Sequence, residues 1–191
     1  LSGASKGNSA LLHTGFDAPT GSLELTCMQA GYAEYMDIRE RLNLPLVTST
    51  ALVVAWSDEE VAKLDGIVAK AHANGVSDVR HVGGDELRRL EPRLSPKAKS
   101  AVLVPGEHII DAWSAPLAYA HQALAHGAVI LRNAEVTGGD FSGGQWLLAS
   151  KAGPVTARVV INAAGNFGDL VEAIARPSPF TITPRRGQFV V

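Results

Sequence analysis

The longest uninterrupted apolar run in this 191-residue chain, residues 51–56, is only strand-sized. A helix that crosses a bilayer needs about 20 apolar residues in a row, so no membrane span is expected. The apolar residues, 46% of the chain, must instead be divided among short strands and amphipathic helices around a buried core. The spacing follows that rule. Gly21-Ser22 opens a helical pattern to about Leu42, with Leu25, Met28, Tyr32, Tyr35 or Met36, and Leu42 on one side and Ser22 as its cap. Within the 51–56 run, Leu52 to Trp56 predicts a buried strand. Ser57 with Glu60 then makes a capping box, opening a helix whose apolar face is Val61, Leu64, Ile67, Val68 and Ala71 and which stops at Asn74-Gly75.

Further strands are expected at residues 79–82, 100–104, 107–110, 128–132, 135–136, 146–149 and 155–162. Short helices are expected at 85–90, at 114–126 with Ser114 as cap and Pro116 in the first turn, and from Gly168. Pro105-Gly106, Gly138-Gly139, Gly143-Gly144 and Gly153-Pro154 supply turns. Helices and strands alternate in part and form a meander in part, which predicts a mixed α and β fold with a central sheet. The net charge of −2 gives no reason to expect nucleic acid or an anionic membrane as a partner. One cysteine, Cys27, excludes an intramolecular disulfide and reads as a packing residue; with no secretory signal pattern, the cytoplasm is the default location.

Four stretches carry chemistry. Gly3-Ala4-Ser5-Lys6-Gly7-Asn8-Ser9, continuing into Leu12-His13-Thr14-Gly15, is rich in small residues that let a backbone approach a ligand; a loose Gly-rich end is the plainer reading. Val159-Val160-Ile161 runs into Asn162-Ala163-Ala164-Gly165 and then a helix, a strand-to-helix turn of the kind that binds cofactor phosphates. Glu135-Val136-Thr137-Gly138 offers a strand whose main chain suits the edge of an adenine, or is an ordinary sheet strand. Pro184-Arg185-Arg186-Gly187-Gln188, between two short strands, holds two guanidinium groups suited to a carboxylate or phosphate, or is a solvated basic turn.

In order and wording these stretches, with Val104-Pro105-Gly106, Ile110-Asp111 and residues 123–128, resemble the D-amino acid oxidase and glycine oxidase superfamily of FAD-dependent oxidoreductases. They look most like its glycerol-3-phosphate dehydrogenase and L-2-hydroxyglutarate oxidase branch, and the resemblance runs through nearly the whole chain. It implies an α/β flavoprotein piece: part of an FAD-binding domain and a substrate or cap domain with a mixed β-sheet. The implied partition is an FAD-contacting loop and helix at 1–43, cap residues at 44–106, and a return to the FAD-binding domain at 107–191.

The roles the resemblance implies fall on named positions. Ala4, Ser5, Gly7 and Asn8 would follow the FAD pyrophosphate and ribityl chain, and His13 and Gly15 would approach the isoalloxazine. Val136 would meet adenine through its backbone, and Ala163, Ala164 and Gly165 would close over the adenosine diphosphate. His13 could take the substrate hydroxyl proton, as a neutral imidazole can near pH 7, or is a loop histidine that shapes the flavin site. Arg186 would lie on the substrate side of the flavin or support that wall. The implied reaction is hydride transfer to FAD from a small anionic hydroxy substrate, glycerol 3-phosphate or a 2-hydroxy acid such as 2-hydroxyglutarate. Two other readings stand beside it: amino-acid or amine oxidation on the same scaffold, and a substrate-domain piece without bound flavin. The family's opening Gly-x-Gly-x-x-Gly turn and its acidic ribose ligand are not in the sequence, which therefore reads as an internal piece of the enzyme. A placement peripheral to the inner membrane is a further implication for the intact enzyme. No histidine spacing suits a metal site.

Overall fold

A computed structural model describes residues 3–185 and 187. The chain divides into two compact units, Ala10–Ala115 and the combination of Leu1–Ser9 with Pro116–Val191.

In the first of these, β1 (Leu11–Leu12) leads through a loop to α1 (Leu23–Ile38), β2 (Leu46–Val47) and β3 (Ala51–Ala55). Then come α2 (Asp58–Ala73), β4 (Arg80–Gly83), α3 (Gly84–Leu90), β5 (Ser100–Val104) and β6 (His108–Ile110). Ser22 caps α1 by accepting from the Leu25 amide. At α2 the expected capping box is complete: the Ser57 hydroxyl accepts from the Glu60 amide, and the Glu60 carboxylate accepts from the Ser57 amide.

Two antiparallel sheets result, ordered β1-β6-β2 and β3-β5-β4. β5 is the central strand and is buried throughout. Its alternation divides the core: Val102 and Val104 join Leu64, Ala71, Val79 and Phe16 on the α2 side. Ala101 and Leu103 join Val82, Leu87 and Ala98 on the α3 side. The strand expected to be buried at 52–56 is the edge strand β3, residues 51–55, and is half-buried, with Trp56 beyond its end about half exposed. Being apolar does not make it central; β5 holds that place because both β3 and β4 pair with it.

In the other unit the residues from Pro116 of α4 (Ser114–Ala125) are followed by β7 (Val136–Ser142), β8 (Gln145–Ser150), β9 (Val155–Ala157) and α5 (Gly168–Ala175). β7, β8 and β9 form a third antiparallel sheet in chain order. Its first hairpin turns on Gly143 and Gly144, whose φ values of 59° and 78° suit a two-residue turn that other residues would strain. Gly138-Gly139 is not a turn but part of β7. A Cβ on Gly139 would come within 2.8 Å of Leu148 and 3.3 Å of Ile174, so the bare backbone is what lets α5 pack on this strand.

The expected mixture of helices and sheets is present, with local differences. Every ladder among the described residues is antiparallel, where a mixed central sheet was expected. The strand expected at 128–132 does not form, and that expected at 155–162 stops at Ala157. Val129, Ile130, Leu131, Val159 and Ile161 are all more than half exposed, and an extended segment becomes a strand only when another strand pairs with it. Ser114 is not the cap of α4; it donates its amide and hydroxyl to Asp111 Oδ2, at 2.9 and 2.6 Å, so Asp111 does that work. Cys27 lies exposed on α1, where it was expected to pack. No helix among the described residues is long and apolar enough to cross a membrane.

Candidate functional site

The predicted site residues gather in two places, one within each unit. In the unit that contains β7 to β9, residues 3–7 close on themselves as a single helical turn. The amides of Lys6 and Gly7 donate to the Gly3 carbonyl at 3.1 and 2.9 Å, and Asn8 Nδ2 donates to the Ala4 carbonyl at 3.0 Å. This turn lies beside a second one, Gly165–Phe167. The second turn is held by Asn162, whose Nδ2 donates to the Gly168 carbonyl at 2.7 Å while its Oδ1 accepts from the Ala164 amide at 3.3 Å. Gly165 has φ 57°, a left-handed conformation that suits glycine.

Ala163 and Ala164 then line a groove of about 430 Å³ with Val136, Trp146, Leu148 and Val160. Val136 sits where the β7–β8 register shifts, a bulge of the sort that re-aims a strand beside a site. Ala4, Ser5, Gly7 and Asn8 thus form one turn, Gly165 opens the turn next to it, and Val136, Ala163 and Ala164 share one groove. The walls suit a flat aromatic base such as adenine. Among the described residues no lysine or arginine lines the groove, and two amides of the first turn are already engaged. The fit to an adenine dinucleotide is therefore good at the base and incomplete at the phosphates.

The second cluster lies in the unit of residues 10–115. β1 and β6 pair with Leu11 opposite Ile109 and Leu12 opposite His108, and the Ile110 amide donates to the Ala10 carbonyl. Extending that register by one rung puts His13 opposite Glu107. His13 Nδ1 lies 2.8 Å from Glu107 Oε2. The other carboxylate oxygen accepts from the Thr14 amide at 2.7 Å and the Thr14 hydroxyl at 2.8 Å. Glu107 is 2% exposed, yet burial does not neutralise it. Burial pushes its carboxyl up, but the hydrogen bonds from His13 and Thr14 outweigh that and hold it below the usual range. His13 is raised above the ordinary histidine value, chiefly by the hydrogen bond to Glu107, against its own burial and with the charges of Glu107 and Asp17 adding.

The loop that follows is equally fixed. Asn74, the cap residue at the end of α2, is buried and donates through Nδ2 to the carbonyls of Gly15 and Ala18, each at 2.9 Å. Its Oδ1 accepts from the Thr20 hydroxyl. Gly15 has φ 85°, and a Cβ there would meet Leu25 at 2.7 Å, so glycine is what allows this loop to lie against α1. His108, next to Glu107, keeps Nδ1 3.0 Å from the Ser49 carbonyl. Arg186 lies outside the described residues; no strand forms at 181–185 before it. Among the described residues no three His, Cys, Asp or Glu side chains are arranged to hold a metal ion.

Glu107 and Asn74 are the residues that sequence reasoning missed. Asn74 was legible only as a helix end. Glu107 belongs to a segment read as a strand, but only the register of a ladder between residues far apart in the chain assigns its partner.

A family model described as FAD dependent oxidoreductase, of the DAO family, matches residues 1–191. A glycerol 3-phosphate dehydrogenase of Caloramator mitchellensis is 26% identical over 184 residues, covering 96% of this chain and 38% of the relative. An L-2-hydroxyglutarate dehydrogenase of Indibacter alkaliphilus is 26% identical over 184 residues, covering 95% of this chain and 46% of the relative. The fold is like that of the L-alpha-glycerophosphate oxidase of Mycoplasma pneumoniae with FAD bound. There the TM-score is 0.79 at 23% identity, over 89% of this chain and 46% of that one. The chain spans less than half the length of each.

Proposed function

Because the chain belongs to the DAO family of FAD-dependent oxidoreductases, we propose that the protein carrying it oxidises a small anionic hydroxy substrate, glycerol 3-phosphate or a 2-hydroxy acid such as 2-hydroxyglutarate. The relatives with those names, matched along nearly all of this chain, support that substrate class. When bound, FAD would supply the hydride acceptor for the substrate carbon that carries the hydroxyl. What these residues contribute is binding, orientation and proton handling.

Val136, Ala163 and Ala164 form the apolar walls against which the adenine lies. Ala4, Ser5, Gly7, Asn8 and Gly165 follow the adenosine diphosphate and the chain beyond it. His13, beside Gly15, stands at the reacting end and receives the substrate hydroxyl proton, while Arg186 meets the substrate anion. On this reading residues 1–43 and 107–191 serve the cofactor and 44–106 the substrate side. The single observation that carries the cofactor assignment is the meeting of distant small-residue segments within one unit. Gly3–Ser5 lies beside Gly165–Phe167, and Val136 and Ala164 share a groove.

Two preparations test this. The protein that carries these residues is expected to purify with a flavin spectrum that bleaches anaerobically with glycerol 3-phosphate or L-2-hydroxyglutarate. Bleaching by amino acids and by neither of those would overturn the substrate assignment, and a full-length protein without flavin would overturn the whole reading. The 191 residues alone, whose described residues offer apolar walls for the base and no lysine or arginine in the groove for the phosphates, are expected to bind FAD weakly.

A further inference from the structure

We propose that Glu107 is a positioning residue for His13: it fixes the imidazole with its proton on Nδ1 and presents Nε2 as the nitrogen that exchanges a proton with the substrate. The proposal rests on the reading of His13 above, and adds to it a partner, a tautomer and a direction.

The geometry is over-determined. A buried carboxylate is stable only when its oxygens are filled by donors. Here Oε1 takes two from Thr14, its amide and its hydroxyl, and Oε2 takes the His13 ring. The Thr14 amide has no alternative but to donate. The carboxylate therefore faces His13 as an acceptor, and Nδ1 must carry a hydrogen whether the ring is neutral or charged. The neighbouring backbone is shaped for this. A Cβ on Gly106 would come within 2.8 Å of Thr14 Cγ2, so a bare glycine beside Glu107 is what lets Thr14 close on the carboxylate. Tyr32 of α1 donates to the Gly106 carbonyl at 3.1 Å and fastens the same segment.

The charged and titratable groups around the pair are few. Glu107 and Asp17 act on His13, and Glu107 in turn acts on Tyr32, whose hydroxyl burial has already pushed up. Both carboxylates favour the imidazolium. The ring is consequently a stronger base than a free histidine, and once it has released its proton it returns to a single tautomer with the Nε2 lone pair free. In water a neutral imidazole prefers the opposite tautomer, with the proton on Nε2, so the carboxylate reverses the ordinary preference. That is the orienting role a carboxylate plays behind a catalytic imidazole on unrelated folds. No electron transfer is involved: the proton arriving at Nε2 leaves the Nδ1–H bond to Glu107 intact.

The test is nitrogen NMR of the His13 ring, which needs neither flavin nor turnover. In the native chain above the titration midpoint, His13 is expected as the Nδ1–H tautomer. In Glu107→Gln the Thr14 amide retains the side-chain oxygen, so the new NH2 group faces Nδ1. His13 is then expected to shift its proton to Nε2 and to titrate at lower pH. In the full-length enzyme the low-pH limb of kcat/KM should move down with it, while Glu107→Asp restores the native tautomer in part. A native His13 in the Nε2–H form, or an unchanged midpoint in Glu107→Gln, would overturn the proposal; the native-chain measurement decides it even if that variant does not fold. If His13 behaves as expected but no flavin bleaches, the proposed function fails and the coupling stands. If the flavin bleaches and the tautomer is wrong, the reverse holds.

Discussion

The two units solve the same problem with very different amounts of buried surface. In residues 10–115 two apolar clusters fill both faces of β5, and Ala101, Val102 and Val104 are wholly inaccessible. In the unit formed by Leu1–Ser9 and Pro116–Val191, the one buried residue among those described is Gly168. That unit has hairpins, turns and a helix in good local geometry, yet Val129, Leu131, Phe141, Leu147 and Ile161 are all more than half exposed. The comparison separates two sources of structure. Turn chemistry and strand pairing are local and can be complete without a core; burial is collective and is complete in only one unit. It also bears on the two candidate clusters. The His13–Glu107 pair is set in a packed framework, whereas the groove at Val136 and Ala164 is lined by side chains that are themselves partly open.

The sharpest way to break that contrast is to shorten one leucine in each unit. Leu87 is 1% exposed and packed between Val82 and Ala101, so Leu87→Ala should cost about 3 kcal/mol through lost burial and the cavity left behind. Leu147, 55% exposed on β8, should cost less than about 1 kcal/mol for the same change. Urea denaturation of both variants decides it. Equal losses would mean that the second unit holds a core as effective as the first.

Asn74→Ala should fall between those values, at about 2 kcal/mol. Its amide is buried and fastens the 15–20 loop to the end of α2, so removal takes the side-chain donor from the Gly15 and Ala18 carbonyls and leaves Gly15 only its bond from the Ala18 amide. The loss is expected to be accompanied by faster amide exchange confined to that loop. Faster exchange spread through β3, β4 and β5 instead would show that Asn74 supports the core and not the loop that follows His13.

Legibility in the sequence divides along the same line. The capping box at Ser57 and Glu60, the Ser22 cap, the Gly143-Gly144 turn and the apolar face of α2 were readable because neighbours within four residues decide them. The helix from Gly168 and the small-residue turn at 162–165 were readable for the same reason. Residues 128–132 and 158–162 have the β-branched composition of buried strands and were misread as such, because composition reports fitness for a sheet and not the presence of a pairing strand. Ser114 was taken for a cap because the polar residue that fills the role, Asp111, lies three positions earlier, beyond a tryptophan. His13 stood out in the sequence as a histidine in a small-residue loop. Glu107 did not, since the pairing between positions 94 apart exists only in the register of β1 on β6.

The smallest expected effect has a definite sign. The described ion pairs in the unit of β7 to β9 lie at the surface, Lys151 with Glu135 fully and Arg176 with the half-buried Glu172 in part, and such pairs change stability little. The pH dependence of stability should therefore come mainly from His13 and Glu107. Glu107 titrates below its ordinary value of 4.5 in the fold, so its contribution is present above that value and is lost as pH falls through the folded one. His13 titrates above 6.5 in the fold, so its contribution is complete below 6.5 and fades as pH rises through the raised value. Together they predict a broad stability maximum between 4.5 and 6.5, declining on both sides. Urea midpoints across that range should show the maximum in the native chain and a flatter profile in His13→Ala, with Glu107 then held by Thr14 alone. Native stability that climbs between pH 6.5 and 8 would mean the imidazole is bound neutral, and would place the ionic pair, and with it the contrast in electrostatics between the two units, in error.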